Sequence, residues 1–562
     1  MASDDRDATQ IGINILKAGG NAIDAAVATA AALGVSQPFS GGIGGGGFMT
    51  IYLKDRDRVV VLDGREEAPA STTVEMFRDP DSSTGEPLKF FPDRISNGVA
   101  VGVPGTPLTW AEALNRYGTM DLATVLRPAI ALAETGFKVD ERFVRQILFN
   151  RDRFAAFKPT KSLYLPNGGP PAVGSVFKNP DLAKTYRAIA AQGVNRFYRG
   201  EIGEAIVKTV QNPPTVANPP FRVLAGGMTM ADLDRYAVRS RSPLVTQYRG
   251  YRIYGMGLPS SGGITGAAVL NILSHFDLAH LDRVKAWHTV IEAERLAFAD
   301  RNRFIGDPEY VDVPLTGLLS QGFAQTRRRE IGDRAPNRDF IASPGDPLPF
   351  QDDPSPSLTR SLPTARIDDL HDGSTTHLTV ADSWGNLVSY TLTLEFMGGT
   401  GIVVPGWGFI LNNELTDFDP VRPHPNSPEP GKRPRSSMAP TITFAPDGGA
   451  IAYGSPGGST IITTVLGIGI NLMDFGLSLP EAIAAPRLSQ RNGGATQVDG
   501  DLEKTDLGKG LTGLGHVLEP RWGIGSATGI TISPDGRMVA VAEPVRHGGG
   551  SAMVVRGPRS GR

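Results

Sequence analysis

The sequence predicts a mixed helix-and-sheet fold of the α+β class. Three features predict it: an almost wholly apolar helical stretch near the start, strand-like segments joined by short polar turns, and a C-terminal third dominated by hairpin signals. With 562 residues, 40% of them hydrophobic, the chain can build a large core in one or two domains and is too apolar for disorder. Its 68 glycines and 44 prolines call for many tight turns.

Residues 8 to 18 (ATQIGINILKA) read as a helix closed by Gly19 and Gly20. Asn21, with Asp24 three residues on, reads as an N-cap pair opening a second helix through Leu33, and its run AIDAAVATAAAL is apolar on nearly every face and therefore buried. FMTIYL and RVVVLDG are strand-like, with a polar DRD turn between them. Residues 109 to 150 and 181 to 210 read as mainly helical, and 285 to 304 carry an amphipathic helical period. From Phe340 to Ser374 the chain is rich in Pro, Asp and Ser without any period, a length of structureless chain that signals function or disorder. TTHLTVADSWGNLVSYTLTLE then reads as a hairpin turning around residues 383 to 386. Two further hairpins follow, at TITFAPDGGAIAYGS and ITISPDGRMVAVAE, with helices at 459 to 475 and 479 to 485 between them.

Composition excludes several functions. With 56 basic and 58 acidic residues there is no excess of positive charge to draw nucleic acid or anionic lipid, so small molecules or peptides are the expected partners. No run approaches the length of a membrane span. The opening MASDDRDATQIG has neither a basic nor an apolar leader segment, which fits a cytoplasmic protein or one whose signal has been trimmed. Zero cysteines rule out thiol nucleophiles, disulfides, Fe–S clusters and Cys-ligated zinc. The eight histidines show no zinc spacing, no serine sits in G-x-S-x-G, and no metal is expected. Gly42, Gly44 and Gly47 in GGIGGGG formally satisfy a dinucleotide fingerprint. Their order is helix, loop, strand, whereas phosphate binding needs the loop to open a helix; close backbone packing around an interior site is the expected role.

What remains is a hydroxyl nucleophile with an unusual base. A threonine at a chain N-terminus can use its own α-amine, whose ordinary pKa of about 7.7–8.0 leaves part of it as free base near neutrality. In DGSTTHLTV a cleavable segment ends where a strand begins, so a cut between Ser374 and Thr375 would present Thr375 at a rigid strand start. On local sequence alone, Thr375 and Thr376 read better as ordinary strand threonines, a residue type common in strands. Pairing across the 383–386 turn brings Thr393 within about a residue of Thr375.

Across nearly its whole length the chain carries GGNAIDAAVATAAALGVSQPFSGGIGGGGF, LDGREEAPAS, VGVPGTPLTW, LPSSGG, TTHLTVADSWGNLVSYTLTLE, GTGI, LNNELTDF, RPRSSMAPT and GSPGGSTI. In this order these segments resemble the γ-glutamyltranspeptidase family of N-terminal-nucleophile hydrolases. The resemblance implies a four-layer αββα sandwich made as one precursor that cuts itself, with residues 1–374 and 375–562 as large and small subunits of one compact unit. It further implies Thr375 as nucleophile, Thr393 as the residue orienting it, and Gly457 and Gly458 as backbone donors to an oxyanion. Arg65, Ser436 and Ser437 would clamp an α-carboxylate, guanidinium suiting bidentate binding. Glu395, Glu414 and Asp417 would hold an α-ammonium; many members have Asn and Gln at the first two positions, so this pocket is more acidic, and repulsion should raise at least one carboxyl pKa. The short stretch between Asp417 and Arg433 implies a lidless, open cleft. The implied activity is cleavage of glutathione-like γ-glutamyl amides with transfer to water, amino acids or short peptides, without a cofactor, in the periplasm or medium. A glutaryl-cephalosporin-type acylase on the same scaffold and an uncut, non-catalytic binding protein are the alternatives.

Overall fold

Asp5 caps the first helix, Arg6–Lys17, by accepting from the Ala8 N–H, and Gly19 follows the helix end at φ +91°. Asn21 and Asp24 form the anticipated capping box on Ala22–Ser36, three residues longer than the sequence suggests, and every residue of that helix is buried. The computed structural model describes residues 1–352 and 374–555. Residues 353–373, most of the Pro-, Asp- and Ser-rich stretch that implied function or disorder, lie outside the described residues.

Two sheets form the middle of the molecule. The seven-stranded sheet runs in the order Ser551–Ala552, Ala2–Ser3, Thr375–Ala381, Leu387–Thr393, Gly46–Leu53, Arg58–Gly64 and Arg239–Arg241. The six-stranded sheet runs Met538–Ala542, Thr528–Ile532, Ala450–Gly454, Thr441–Phe444, Tyr251–Gly255 and Leu244–Tyr248. All three hairpins and the FMTIYL and RVVVLDG strands are present. Tyr52, Leu387, Ile442, Ala452 and Ile530 pack between the two sheets. Ala22–Ser36 lies on the outer face of the first sheet, while Gly262–Leu273 and Thr460–Met473 lie on that of the second. The layers are therefore α, β, β and α, as the resemblance implies.

One reading is corrected. The helix Arg283–Phe304 is not amphipathic in use: it is buried without a break from Ala286 to Arg301, charged residues included. Its period misled because the charges are spent inside, Arg295 on Glu292 and Asp300 on Arg327.

The glycine run begins a strand at Gly46 rather than a helix. A Cβ on Gly45 would stand 1.9 Å from the Thr393 carbonyl oxygen, and one on Gly44 1.9 Å from that of Ile410. Gly45→Ala should therefore cost about 1–3 kcal/mol or more through overpacking. Gly266, inside Gly262–Leu273, has nothing within 4 Å of the same point, so Gly266→Ala should stabilise by about 0.5–1 kcal/mol, both changes being read from urea midpoints.

Candidate active site

The hairpin register sets Thr375 directly opposite Thr393, within the one-residue margin expected from the turn. Thr375 Oγ1 donates to Thr393 Oγ1 at 3.1 Å, and Thr393 Oγ1 donates in turn to the Ser374 carbonyl at 3.0 Å. Thr393 Oγ1 also accepts from the Glu395 N–H at 2.8 Å, so its single proton is committed to Ser374 and the Thr375 hydroxyl must be the donor in their shared bond. Ser374 is fixed by Glu395 O, which accepts from its N–H at 2.7 Å, and by Ser40, hydroxyl to hydroxyl at 2.9 Å.

Beyond the strand end, Glu395 sits at φ +76°, in the left-handed region that a glutamate enters only under constraint. The constraint is visible. The Glu395 carboxylate accepts from Asn413 Nδ2 and, at 3.0 Å, from Thr416 Oγ1, while Asn413 Oδ1 accepts from the Phe396 N–H at 3.1 Å. Arg153 anchors the chain that follows, donating to Met397 O at 3.0 Å and to Gly399 O. The resemblance named Glu395 but not Asn413 or Thr416; their place within LNNELTDF was the only signal available.

Arg65 and the acids behave differently from what their separate roles suggested. Rather than facing an empty carboxylate site, the buried Arg65 guanidinium pairs with Glu414 through Nη1 and with Asp417 at 2.5 Å through Nη2. Its Nε and Nη2 also donate to Pro434 O and Arg435 O, at 3.1 and 3.2 Å. Arg65 and two of the three acids, Glu414 and Asp417, thus pair with one another. Burial drives the Glu395 carboxyl well above its usual range, with Asp417 and Glu414 adding to it. Burial also pushes Glu414 up to about 7, Asp417 adding to the effect and Arg65 opposing it. Repulsion thus raises these values as anticipated, but desolvation is the larger cause. Behind them lies a residue that the sequence reading passed over, Glu66, completely buried and raised well above the usual range by burial and by Glu414.

Ser436 and Ser437 are held from behind by the LPSSGG segment. Ser261 donates to Ser436 O through N and Oγ, at 2.8 and 2.6 Å, and Arg301 bridges Ser261 Oγ at 2.8 Å to Ser437 Oγ at 2.9 Å. Gly457 and Gly458 stand at φ +137° and +57° just before the helix Thr460–Met473, and among the described residues neither N–H donates to a protein acceptor. Thr375, Thr393, Arg65, Glu395, Glu414, Asp417, Ser436, Ser437 and Gly458 line one cavity of about 340 Å³, and Gly457 is next in the chain. That volume lies within the range of small-molecule sites. The short connection after Asp417 is tied down by Asn426, whose Nδ2 donates to Asp417 O at 2.6 Å and to Asp419 at 2.9 Å, and Phe418–Val421 form one wall.

Elsewhere, His288, Glu292 and His516 come together, a group that histidine spacing did not announce because His516 is remote in sequence. His288 bonds through both ring nitrogens, to His516 Nε2 and to Gly332 O, each at 2.8 Å, and Arg295 grips Glu292 at 3.1 Å. These contacts employ His288 and Glu292, while His516 Nδ1 is buried with no hydrogen-bond partner among the described residues.

A family profile described as Gamma-glutamyltranspeptidase matches residues 8–553. The chain is 39% identical over 546 residues to a "Glutathione hydrolase proenzyme" of Bacillus subtilis (strain 168), covering 96% of this chain and 89% of that one. It is 36% identical over 558 residues to an "Acylase ACY 1 proenzyme" of Pseudomonas sp. (strain SE83), covering 97% and 93%. Among solved structures, a cephalosporin acylase from Bacillus halodurans superposes with a TM-score of 0.84 at 30% identity, covering 99% and 96%.

Removing the guanidinium would leave a buried cluster of acids without its cation. Arg65→Leu should cost about 3–5 kcal/mol in denaturant unfolding, and adding Glu414→Gln should restore part of that loss.

Proposed function

The chain belongs to the γ-glutamyltranspeptidase family, and on that premise we propose that it is a self-processing γ-glutamyl hydrolase and transferase acting on glutathione-like amides. The observation that carries this reading is a charged cluster in the cavity wall: three carboxylates, Glu395, Glu414 and Asp417, beside the Arg65 guanidinium. A γ-glutamyl group brings both an α-ammonium and an α-carboxylate. On entry the ammonium takes over the acids and the carboxylate takes over Arg65 with Ser436 and Ser437, so each buried charge exchanges one partner for another. A glutaryl group brings no cation, and this favours the γ-glutamyl reading over the acylase one.

Maturation uses the same atoms. Thr375 Oγ attacks the Ser374 carbonyl carbon while the Thr393 hydroxyl, 3.0 Å from that carbonyl oxygen, polarises it. The C–N bond breaks as the Thr375 nitrogen gains a proton, the acyl group is left as an ester on Oγ, and water hydrolyses the ester to give subunits 1–374 and 375–562. The Thr375 α-amine is then free, and Thr393 can turn its proton toward the nucleophile.

In turnover Thr375 Oγ attacks the γ-carbonyl as the α-amine takes its proton, and the Gly457 and Gly458 N–H groups face the oxyanion. Collapse breaks the amide C–N bond, and the ammonium returns the proton to the leaving amine. Water, or the amine of an amino acid or short peptide, then attacks the γ-glutamyl ester and regenerates Thr375. No cofactor takes part in this scheme. Export to the periplasm or medium rests on family resemblance; among the described residues no helix is long and apolar enough to cross a membrane.

Intact mass gives the first test. Wild type should resolve into residues 1–374 and 375–562, Thr375→Ala should stay whole, and Thr393→Val should be cut more slowly by about tenfold or more. A wild type that stays whole while folded would favour the uncut binding protein instead. The pH profile gives the second. Glu414 is neutral below about 7 and ionised above it, and only the ionised form pairs with an ammonium. The ratio of kcat/KM for a γ-glutamyl anilide to that for the glutaryl anilide should therefore rise as pH increases through about 7, and a flat ratio would remove Glu414 from ammonium binding.

A further inference from the structure

Glu66 takes no part in the scheme above, although it is fully buried beside residues that do. It follows Arg65 directly after the strand Arg58–Gly64, and its carboxyl packs against bare backbone: a Cβ on Gly46 would stand 2.6 Å from Oε2. Among the described residues, neither Glu66 oxygen accepts a hydrogen bond from another residue's N–H or O–H, and the same holds for Glu414 Oε2. If both acids were ionised, these oxygens would be isolated buried acceptors, a costly arrangement. What they meet is one another, the Glu66 and Glu414 carboxyls lying in hydrogen-bonding contact.

Two carboxylates cannot share a hydrogen bond, since each is an acceptor only; a carboxylic acid and a carboxylate can. The surroundings decide which of the two carries the proton. Glu414 Oε1 is paired with Arg65 Nη1, which stabilises its anion, whereas Glu66 is bonded to no cation among the described residues. From the other elements packed around Glu66, Tyr198 and Tyr390 face it, and burial holds both phenols above their usual range, so neither brings a charge. The Tyr198 hydroxyl donates to Pro104 O at 2.8 Å, and that of Tyr390 makes no hydrogen bond to Glu66. The remaining acids nearby, Asp417 and Glu395, act on Glu414.

We propose that Glu66 carries a proton and donates it to Glu414, so that the two carboxyls hold one proton between them and Glu66 is a positioning residue for the ammonium site. Its part in substrate binding rests on the γ-glutamyl reading; the shared proton does not. The donated bond holds the Glu414 carboxylate by its second oxygen and stabilises the anion against burial, which retains one negative charge there for an ammonium to meet.

The pH profile separates this from its alternatives. In wild type the preference for γ-glutamyl over glutaryl anilide should rise with a midpoint at about 7. Glu66→Gln keeps a donor in the same place and should leave that midpoint where it is. Glu66→Leu removes the donor from an anion and should raise the midpoint by about one pH unit. Were Glu66 ionised instead, either substitution would remove a like charge and lower the midpoint, which overturns the proposal. An unmoved midpoint in Glu66→Leu, with rates merely reduced, overturns it too, because a structural role alone leaves the profile in place. Infrared difference spectra of wild type against Glu66→Gln need no substrate. At a pH where exposed carboxyls are ionised, wild type should show one carboxylic-acid C=O stretch that the variant lacks, while Glu395, present in both, cancels. Loss of carboxylate bands in its place overturns the proposal. An acid band without turnover of the γ-glutamyl anilide upholds the shared proton and overturns the γ-glutamyl reading.

Discussion

The strand that bears Thr393 stands where it does because the chain beside it has no side chains. The Thr391 and Thr393 carbonyls occupy the space that a Cβ on Gly47 or Gly45 would need, and the Ile410 carbonyl occupies that of Gly44. This near contact of backbones draws three separate stretches to one point: the hairpin with Thr375 and Thr393, the LNNELTDF segment with Glu414 and Asp417, and the DGREE segment with Arg65 and Glu66. Asn412 secures the meeting, its side chain donating to Gly44 O and Gly102 O and accepting from the Gly102 N–H, at 2.7 to 2.9 Å. A side chain in the run would displace the strand that carries Thr393 and pairs with Thr375.

On that frame the site keeps groups in states they would not hold in water. Glu395 occupies a backbone region that costs a non-glycine residue of order 1–3 kcal/mol. Its carboxyl and that of Glu414 are desolvated beside other acids. Such arrangements persist only where surrounding contacts over-determine them, and here Asn413, Thr416 and Arg153 do so. A zwitterionic ligand relieves this crowding while leaving the total charge of the cavity unchanged. A purely anionic ligand adds to it.

Much of the fold was legible because local signals and burial agreed. The Asn21–Asp24 capping box, the wholly apolar Ala22–Ser36 helix and the three hairpin turns each specify one conformation. Arg283–Phe304 was misread because period alone does not reveal whether charges face water or one another. In the site, Thr375 and Thr393 could be paired from strand register, since period 2 and a short turn leave little choice. The positive φ of Glu395, the pairing of Arg65 with Glu414 and Asp417, and the contact of Glu66 with Glu414 were not legible. Each arises from contacts between segments distant along the chain, and neither propensity nor spacing records such contacts.

The order of strands carries a last consequence. In the seven-stranded sheet Thr375–Ala381 lies between Ala2–Ser3 and Leu387–Thr393, and Leu387–Thr393 in turn pairs with Gly46–Leu53. On the proposed cleavage before Thr375, the two chains would remain woven through one sheet, and they could not part without losing its core ladders. Separation is then the same event as global unfolding, and the return path becomes a second-order encounter whose rate depends on concentration. Under that proposal a polypeptide that folds once as a unimolecular precursor would become an assembly whose lifetime is set by how slowly it opens rather than by how readily it re-forms.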